Sequence, residues 1–267
     1  MKISDSGHWY TRDGNPSYTV LSANGIERKA TLADARKITL VPSVTNTLGI
    51  VAKPNLTNWL QDQVFIACQT VKRADESDEE YKAKVLAEAS RYSNERRDEG
   101  TAIHSAIDRG FLQGEENKYY LGAKGLLDKL FPNQLWFPEV PFASHLGYGG
   151  KCDCSSDRIS IEGEYTPTLP IIVDWKSKEF TDEDYDEDKL TKKAVSRFIY
   201  DDHGMQLSAY GYGLFECINP IRVNIFVRPS DGKCIYYKHE ENNDLEKFKA
   251  VLKLWQLIKN YDPSWSI

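Results

Sequence analysis

Apolar residues recur at two different periods along this chain, and the switches between them mark out its elements. Residues 1–50 hold only short apolar runs broken by turn signals. The stretch "YTVLSANGIERKATL", with Asn24-Gly25 at its centre, predicts a β-hairpin. "KITLVPSVTNTLGI" predicts further short strands and turns, with Ser43 or Thr45 placed to cap a short helix. After Pro54, Leu56, Leu60, Val64, Ala67 and Val71 recur at helical spacing. Residues 77–130 read as three helical segments. The first opens with a Ser77–Glu80 capping box, the second is "GTAIHSAIDRGFLQG", closed by Gly110 or Gly114, and the third is stopped by Pro132. Strand patterns then take over in "LWFPEVPFAS", "GYGGKCDCSSDRISIEG" and "PIIVDWKSK". A largely helical stretch, "KLTKKAVSRFIYDDHGMQLSAYGYGLFEC", follows. "RVNIFVRP" and "CIYYKHE" predict a closing β pair, and "DLEKFKAVLKLWQLIKNY" an amphipathic C-terminal helix. This order predicts one α/β domain: an N-terminal β-hairpin region (1–53), a helical lobe (54–132), and a core with a C-terminal helix (133–267).

Composition narrows the class. With 267 residues, 40% of them hydrophobic, the chain can bury a sizeable core. A net charge of −6 excludes a generally basic nucleic-acid coat, so any polyanion site must be local or built around metal ions. No apolar run approaches the roughly 18–20 residues of a membrane span, and "MKISDSGHWYTRDG" lacks an apolar signal core. Cys68, Cys152, Cys154, Cys217 and Cys234 are an odd set without a disulfide-scaffold pattern, read as reduced thiols in a cytoplasmic protein. Cys152 and Cys154 have no second Cys or His pair nearby, which argues against a zinc or iron–sulfur site.

The candidate chemistry starts in "PIIVDWKSK". Asp174 and Lys176 are two apart on a strand and therefore share a face. Asp153 lies 21 residues earlier, after Gly149-Gly150, where the backbone is free to bend. If the two strands pair, Asp153 and Asp174 face each other, which is unfavourable unless a cation sits between them. Two carboxylates with the Val173 or Trp175 carbonyl form a hard-oxygen site suited to Mg²⁺ or Mn²⁺. Lys176 beside it could position or deprotonate a water, or neutralise developing phosphate charge. Taken alone, an Asp-x-Lys triplet is an ordinary surface pair. Further motifs surround it: Gly100 and His104 four apart on a helix, Glu139 on a strand between two prolines, and Gln206 and Tyr210 at i, i+4. Each by itself also has a plain structural reading, as a core histidine, an edge-strand charge and an incidental glutamine.

In chain order, Gly100 to His104, Glu139, Gly150 to Asp153, Asp174 to Lys176 and Gln206 to Tyr210 resemble the motifs of the PD-(D/E)XK nuclease superfamily, in particular its RecB-like branch. That branch includes phage exonucleases, CRISPR adaptation nucleases and the mitochondrial genome maintenance exonuclease. "VPSVTNTLGIVAKPNLTNW" is also similar to an element that precedes the histidine helix in phage members, and the likeness spans roughly residues 40–230. The resemblance implies a restriction-endonuclease-like mixed central sheet flanked by helices. It implies a Mg²⁺- or Mn²⁺-dependent deoxyribonuclease, with His104, Asp153, Asp174 and the Trp175 carbonyl as metal ligands. Lys176 would act on the nucleophile, Gln206 and Tyr210 would orient Lys176 or touch the DNA backbone, and Glu139 would stand behind the ligands or at a second metal.

The helical lobe, tied to the site by the His104 helix, and the acidic loop after the catalytic strand would cover and narrow the cleft, which predicts an exonuclease acting on single-stranded or tailed DNA ends. The resemblance implies a role in phage or bacterial recombination, repair or degradation, in the host cytoplasm, with a recombination or single-strand-binding protein as a possible partner. Some relatives carry an iron–sulfur cluster, but no cysteine follows Cys234, so none is expected here. The acidic run Asp182–Asp188 reads as a solvated loop or as a gate against duplex DNA. Lys178, Lys192, Lys193 and Arg197 are the candidate phosphate-facing cations. The competing readings are a structure-specific endonuclease with the same core, and an inactive nuclease fold serving as a DNA-binding or docking module.

Overall fold

The computed structural model describes residues 7–266, the side chains of Asn55, Leu56 and Tyr92 excepted. Leu56, one of the apolar positions expected on the first long helix, thus lies outside the described side chains. The N-terminal elements are β1 (Trp9–Tyr10), β2 (Thr19–Leu21), β3 (Glu27–Lys29), α1 (Leu32–Ile38), β4 (Val41–Pro42) and α2 (Val44–Leu48). Three longer helices follow, α3 (Pro54–Ala67), α4 (Asp78–Gln113) and α5 (Lys118–Leu130). The rest comprises β5 (Phe137–Ser144), β6 (Tyr148–Ile161), β7 (Glu164–Ser177), β8 (Tyr185–Asp186), β9 (Lys189–Leu190), α6 (Lys192–Phe198), α7 (Asp201–Phe215), β10 (Ile221–Val227), β11 (Cys234–His239) and α8 (Asp244–Lys259).

The chain divides into two compact units, Met1–Val51 with Ala106–Ile267, and Ala52–Ser105. The second unit is built from α3 and the first part of α4. Its core is small: Ala67, Val85 and Ala89, with Val64 and Tyr81 packed against them. The Ser77–Glu80 capping box is formed, Glu80 accepting from the Ser77 N–H at 2.9 Å and Ser77 Oγ from the Glu80 N–H at 3.2 Å. The helical lobe is shorter than the sequence implied, because residues 106–132 belong with the sheet.

The first unit is an α/β fold around a mixed sheet of seven strands in the order β5-β6-β7-β10-β11-β9-β8. The meander β5-β6-β7 is antiparallel, β10 runs parallel to β7, and β11 closes antiparallel on β10. Strand β7 is central, so its end reads as a nearly continuous buried run, Ile171 to Trp175, each at most 2% exposed. Helices cover both faces. Ile172 meets Gly211 of α7 on one face, and Trp175 lies on the other, its ring 6.5 Å from that of Phe111 in the last turns of α4. Helix α8 buries Leu245, Phe248, Leu252 and Trp255, one stripe at helical spacing.

Three elements depart from the sequence pattern. The seven residues of α1 were expected as strand or turn; they are helical because Thr31 and Asp34 form a capping box, and Asp34 pairs with Arg28 at 2.7 Å. The two helices expected between 77 and 114 are one helix of 36 residues, with Gly100 and Gly110 inside it and Gly114, at φ +71°, just past its end. The helical stretch after residue 190 is two helices, α6 and α7, parted at Ile199-Tyr200. The β2–β3 hairpin, the helix cap at Ser43 and the β10–β11 pair form where the sequence puts them.

Candidate active site

The candidate residues meet where β6, β7 and β10 run side by side. The antiparallel register pairs Cys154 with Val173, which sets Asp153 opposite Asp174, and the parallel register pairs Asp174 with Asn224. The Asp153 carboxylate accepts the Trp175 backbone N–H at 2.9 Å. Asp174 is 2% exposed, and each of its oxygens is engaged. Lys176 Nζ stands 2.8 Å from Oδ2, Asn224 donates to Oδ2 at 2.7 Å, and Gln206 donates to Oδ1 at 3.1 Å. The same Gln206 amide group donates to the Tyr210 hydroxyl at 3.0 Å, while its Oε1 lies 3.5 Å from Lys176 Nζ. So the i, i+4 pair on α7 and the i, i+2 pair on β7 meet as one hydrogen-bonded group.

Electrostatics fix its protonation. Burial disfavours a charged Lys176, but Asp174 first, then Asp153 and Asp202, outweigh that and hold its pKa above the usual lysine value. These carboxylates favour the charged ammonium form of Lys176, which suits it to neutralising charge and orienting a water. Burial, reinforced by the Asp153 and Asp174 carboxylates, pushes the Tyr210 phenol well up, so it stays protonated. Tyr210 is only 5% exposed, which makes it a buried prop for Gln206 and not a surface contact for DNA.

Four polar residues at this site, Asn224, His239, Arg222 and His203, are not legible in the sequence pattern. Asn224 links Asp174 to His239, whose Nε2 lies 2.7 Å from Asn224 Oδ1. The Asn224 amide N–H already points to a carboxylate, so its oxygen must accept, and His239 must carry its proton on Nε2. Behind them Arg222, 4% exposed, donates to Ser208 at 2.8 Å and to Asp244. Gly204 permits this closeness, since a Cβ there would lie 2.3 Å from Asp244 Oδ2 and 3.2 Å from His239 Nδ1. His203, 7% exposed, has a buried Nδ1 without a hydrogen-bond partner and stands in the field of Lys176, Asp174 and Asp202. Its spacing of i, i+3 to Gln206 is the one signal the sequence offered.

Burial, then the Lys176 charge, lowers the His203 pKa to about 4. Burial, then Arg222, does the same for His239, also to about 4. A depressed histidine pKa means that the unfolded chain binds protons the native one refuses, so stability is full above about pH 6.5 and falls as the pH drops towards 4. Urea unfolding at pH 7.5 and pH 5 is expected to show lower stability at pH 5, and His203→Gln with His239→Gln to remove most of that difference. An unchanged difference in the double variant would assign the acid sensitivity to other groups.

The remaining sequence candidates are placed as follows. Glu139 lies between the paired residues Pro138↔Cys154 and Val140↔Cys152, hence opposite Asp153, with a left-handed φ of +56°. Such a conformation in a non-glycine residue costs on the order of 1–3 kcal/mol. Its carboxylate pairs with Lys151. His104 is half-buried on α4 and is counted in the second unit, whereas the aspartates are in the first. The proposed phosphate cations split into two kinds. Lys192 and Lys193 are exposed on α6. Arg197 instead pairs with Asp184, and Lys178 donates to the Arg197 carbonyl with its ammonium 4.5 Å from the centre of the Phe198 ring. Both thus also tie α6 to the sheet, Arg197 with its side chain still 63% exposed.

The acidic run is likewise no detachable gate. Asp184 is 3% exposed, accepts the Thr181 N–H at 2.9 Å, and pairs with Arg197, while Tyr185–Asp186 and Lys189–Leu190 are strands of the main sheet. Asp188 pairs with Lys129 of α5 at 2.8 Å.

Two carboxylates on adjoining strands are a hard-oxygen donor set, the chemistry that suits Mg²⁺ or Mn²⁺. Among the described residues, no group of three or more His, Cys, Asp or Glu side chains is gathered as a metal site. Nor is any helix among them long and apolar enough to cross a membrane. No protein-family model and no curated protein matches the chain. Among solved structures, "Crystal structure of SSO0001" is similar at 14% identity over 78% of this chain and 87% of that one, with a TM-score of 0.32, an overlap too loose to identify a relative.

Proposed function

We propose that the chain is a metal-dependent deoxyribonuclease of the PD-(D/E)XK, RecB-like kind, hydrolysing phosphodiester bonds with Mg²⁺ or Mn²⁺. The observation that carries this reading is the convergence of Lys176, Gln206 and Asn224 on the buried Asp174, with Asp153 directly across the ladder. A surface ion pair needs no such support. Asp153, Asp174 and the Trp175 carbonyl would hold the ion, with His104 as a further ligand and Glu139 behind them. The bound ion would supply Lewis acidity at the scissile phosphate. The Lys176 ammonium would orient the attacking water and offset charge as it builds on phosphate oxygens. Gln206 would keep Lys176 in line, and Tyr210 would hold Gln206. Exonucleolytic attack on single-stranded or tailed ends, in a phage or bacterial cytoplasm, belongs to the same proposal.

The test is end-labelled linear and circular DNA, single- and double-stranded, with Mg²⁺, Mn²⁺ or EDTA. Linear single strands are expected to be degraded with metal and untouched in EDTA. Rapid cutting of closed single-stranded circles would favour the endonuclease alternative, and no cutting of any substrate would leave the docking-module reading. Within the active reading, Asn224→Ala removes one of Asp174's donors and His239's acceptor. It is expected to lower cleavage roughly 10- to 100-fold, as lost supports behind metal ligands do. Parental activity in that variant would show that the Asn224–His239 pair has no part in positioning Asp174.

A further inference from the structure

Beside the hairpin lies a cavity of about 510 Å³ lined by His8, Tyr18, Thr19, Lys29, Thr45 and Asn46, among others. Its wall is built. The His8 and Tyr18 rings stack at 4.4 Å with 26° between their planes. The Tyr18 hydroxyl shares a 2.7 Å hydrogen bond with that of Tyr10, which is 3% exposed. Tyr10 in turn presses on β6 at Gly149, where any Cβ would approach the Tyr10 Cβ to 2.9 Å. The N-cap residue of α2, Ser43, bridges to Gly149 as well. The aromatic wall is thus braced on the strand that carries Lys151 and Asp153. Lys151 and the proposed metal ligand Asp153 are two steps apart on that strand, with Cys152 between them, at about 3.4 Å per step.

The chemistry of the lining is mixed in a particular way. Lys29 is exposed at the rim and Asn46 brings an amide, while the hydroxyls of Thr19 and Thr45 are already engaged, Thr19 donating to Glu27 at 2.6 Å and Thr45 sharing a 3.1 Å bond with Ser43. His8 is exposed and offers the outer face of its ring. Burial, then the charges of Lys29 and Lys151, lower its pKa, so the ring is neutral at pH 7 and stacks rather than pairs. A cation, hydrogen-bonding groups and an open aromatic face are what a nucleotide of a single strand needs: phosphate on the cation, base on the ring.

We propose that this cavity is a subsite for one nucleotide of the DNA strand being cut, its phosphate held by Lys29 and its base laid on His8. The inference rests on the nuclease reading and extends it by assigning where the strand runs beyond the catalytic residues. The experiment is fluorescence anisotropy of the full chain with a labelled oligothymidine in EDTA, across a salt series. His8→Ala is expected to weaken binding roughly tenfold, the lower part of the range for one stacked base, with the salt dependence unchanged. Lys29→Ala is expected to weaken binding and to reduce the slope of log K against log salt by about 0.7, the value for one phosphate contact on a single strand. Both side chains are exposed, so unchanged melting temperatures are expected to show intact folds. If the parent binds or cuts DNA and both variants bind with the parental affinity and slope, the subsite is overturned while the nuclease reading stands. If the parent neither binds nor cuts DNA, both fall together.

Discussion

Asp174→Asn is expected to abolish DNA hydrolysis and, less obviously, to lower the melting temperature. A repelling pair of carboxylates would by itself predict the opposite, since removing one charge relieves the repulsion. The geometry reverses the sign. Asp174 receives amide hydrogens from Asn224 at 2.7 Å and Gln206 at 3.1 Å, and its Oδ2 lies 2.8 Å from the Lys176 ammonium. An asparagine has one acceptor oxygen where the carboxylate has two, so it must turn its own NH₂ towards one of these donors. At a site 2% exposed, a donor left without an acceptor costs about 1–3 kcal/mol. At roughly 2–4 °C per kcal/mol for a chain of this size, the loss is measurable by calorimetry. Cleavage within threefold of the parent would remove Asp174 from the catalytic assignment. Lost cleavage with a raised melting temperature would mean that carboxylate repulsion dominates the native state.

Lys176→Ala is expected to reduce cleavage by several orders of magnitude without weakening divalent-ion binding, because an ammonium does not ligate a metal and its removal takes a positive charge away from the ion. It also leaves Asp174 buried without its cation. Breaking a fully buried pair costs roughly 3–5 kcal/mol, and with Lys176 30% exposed the loss here is expected to be smaller. Manganese is expected to restore more stability to this variant than to the parent, since a bound cation would take the place of the missing charge. Melting curves of both proteins with and without Mn²⁺ decide the point. Equal shifts would mean that Lys176 and the ion do not share Asp174, and the proposed metal site would have to move. In the parent, the ion pair's contribution is full below about pH 10.4 and is lost as the pH rises above that, because the folded lysine holds its proton more tightly than the unfolded one.

What the sequence shows of this site is its local part. Asp174 and Lys176 share a strand face by the period of two, and Gln206 and Tyr210 share a helix face by the period of 3.6, so each pair is visible from spacing alone. Asp153 opposite Asp174 follows once the strands are taken as neighbours in a meander. Asn224 and His239 are different. They join only because β10 crosses back to lie parallel to β7, and no local pattern says which strand will lie on that side. Asp184 shows the same limit from the other direction: an acidic run reads as solvated until Arg197 of α6 is brought over it. The glycines of α4 read as breaks in the sequence because each costs about 1 kcal/mol in a helix interior, a cost that helix packing can override. Whether His104 joins the aspartates is for the metal titration of His104→Ala to answer, with weaker Mn²⁺ binding as the expected result.

Strand β5, at one end of the sheet, carries Pro138, the left-handed Glu139 and Pro141 within four residues. Neither proline has an N–H to offer an incoming strand, and Glu139 breaks the extended line between them. At the opposite end, β8 is two residues long. The sheet therefore ends on both sides in backbone that cannot template a further strand, and this guards the seven-stranded sheet against edge-to-edge aggregation. Replacing Pro138 and Pro141 together by valine would be expected to leave the chain's fold in place and to make concentrated solutions prone to forming fibrils or precipitate.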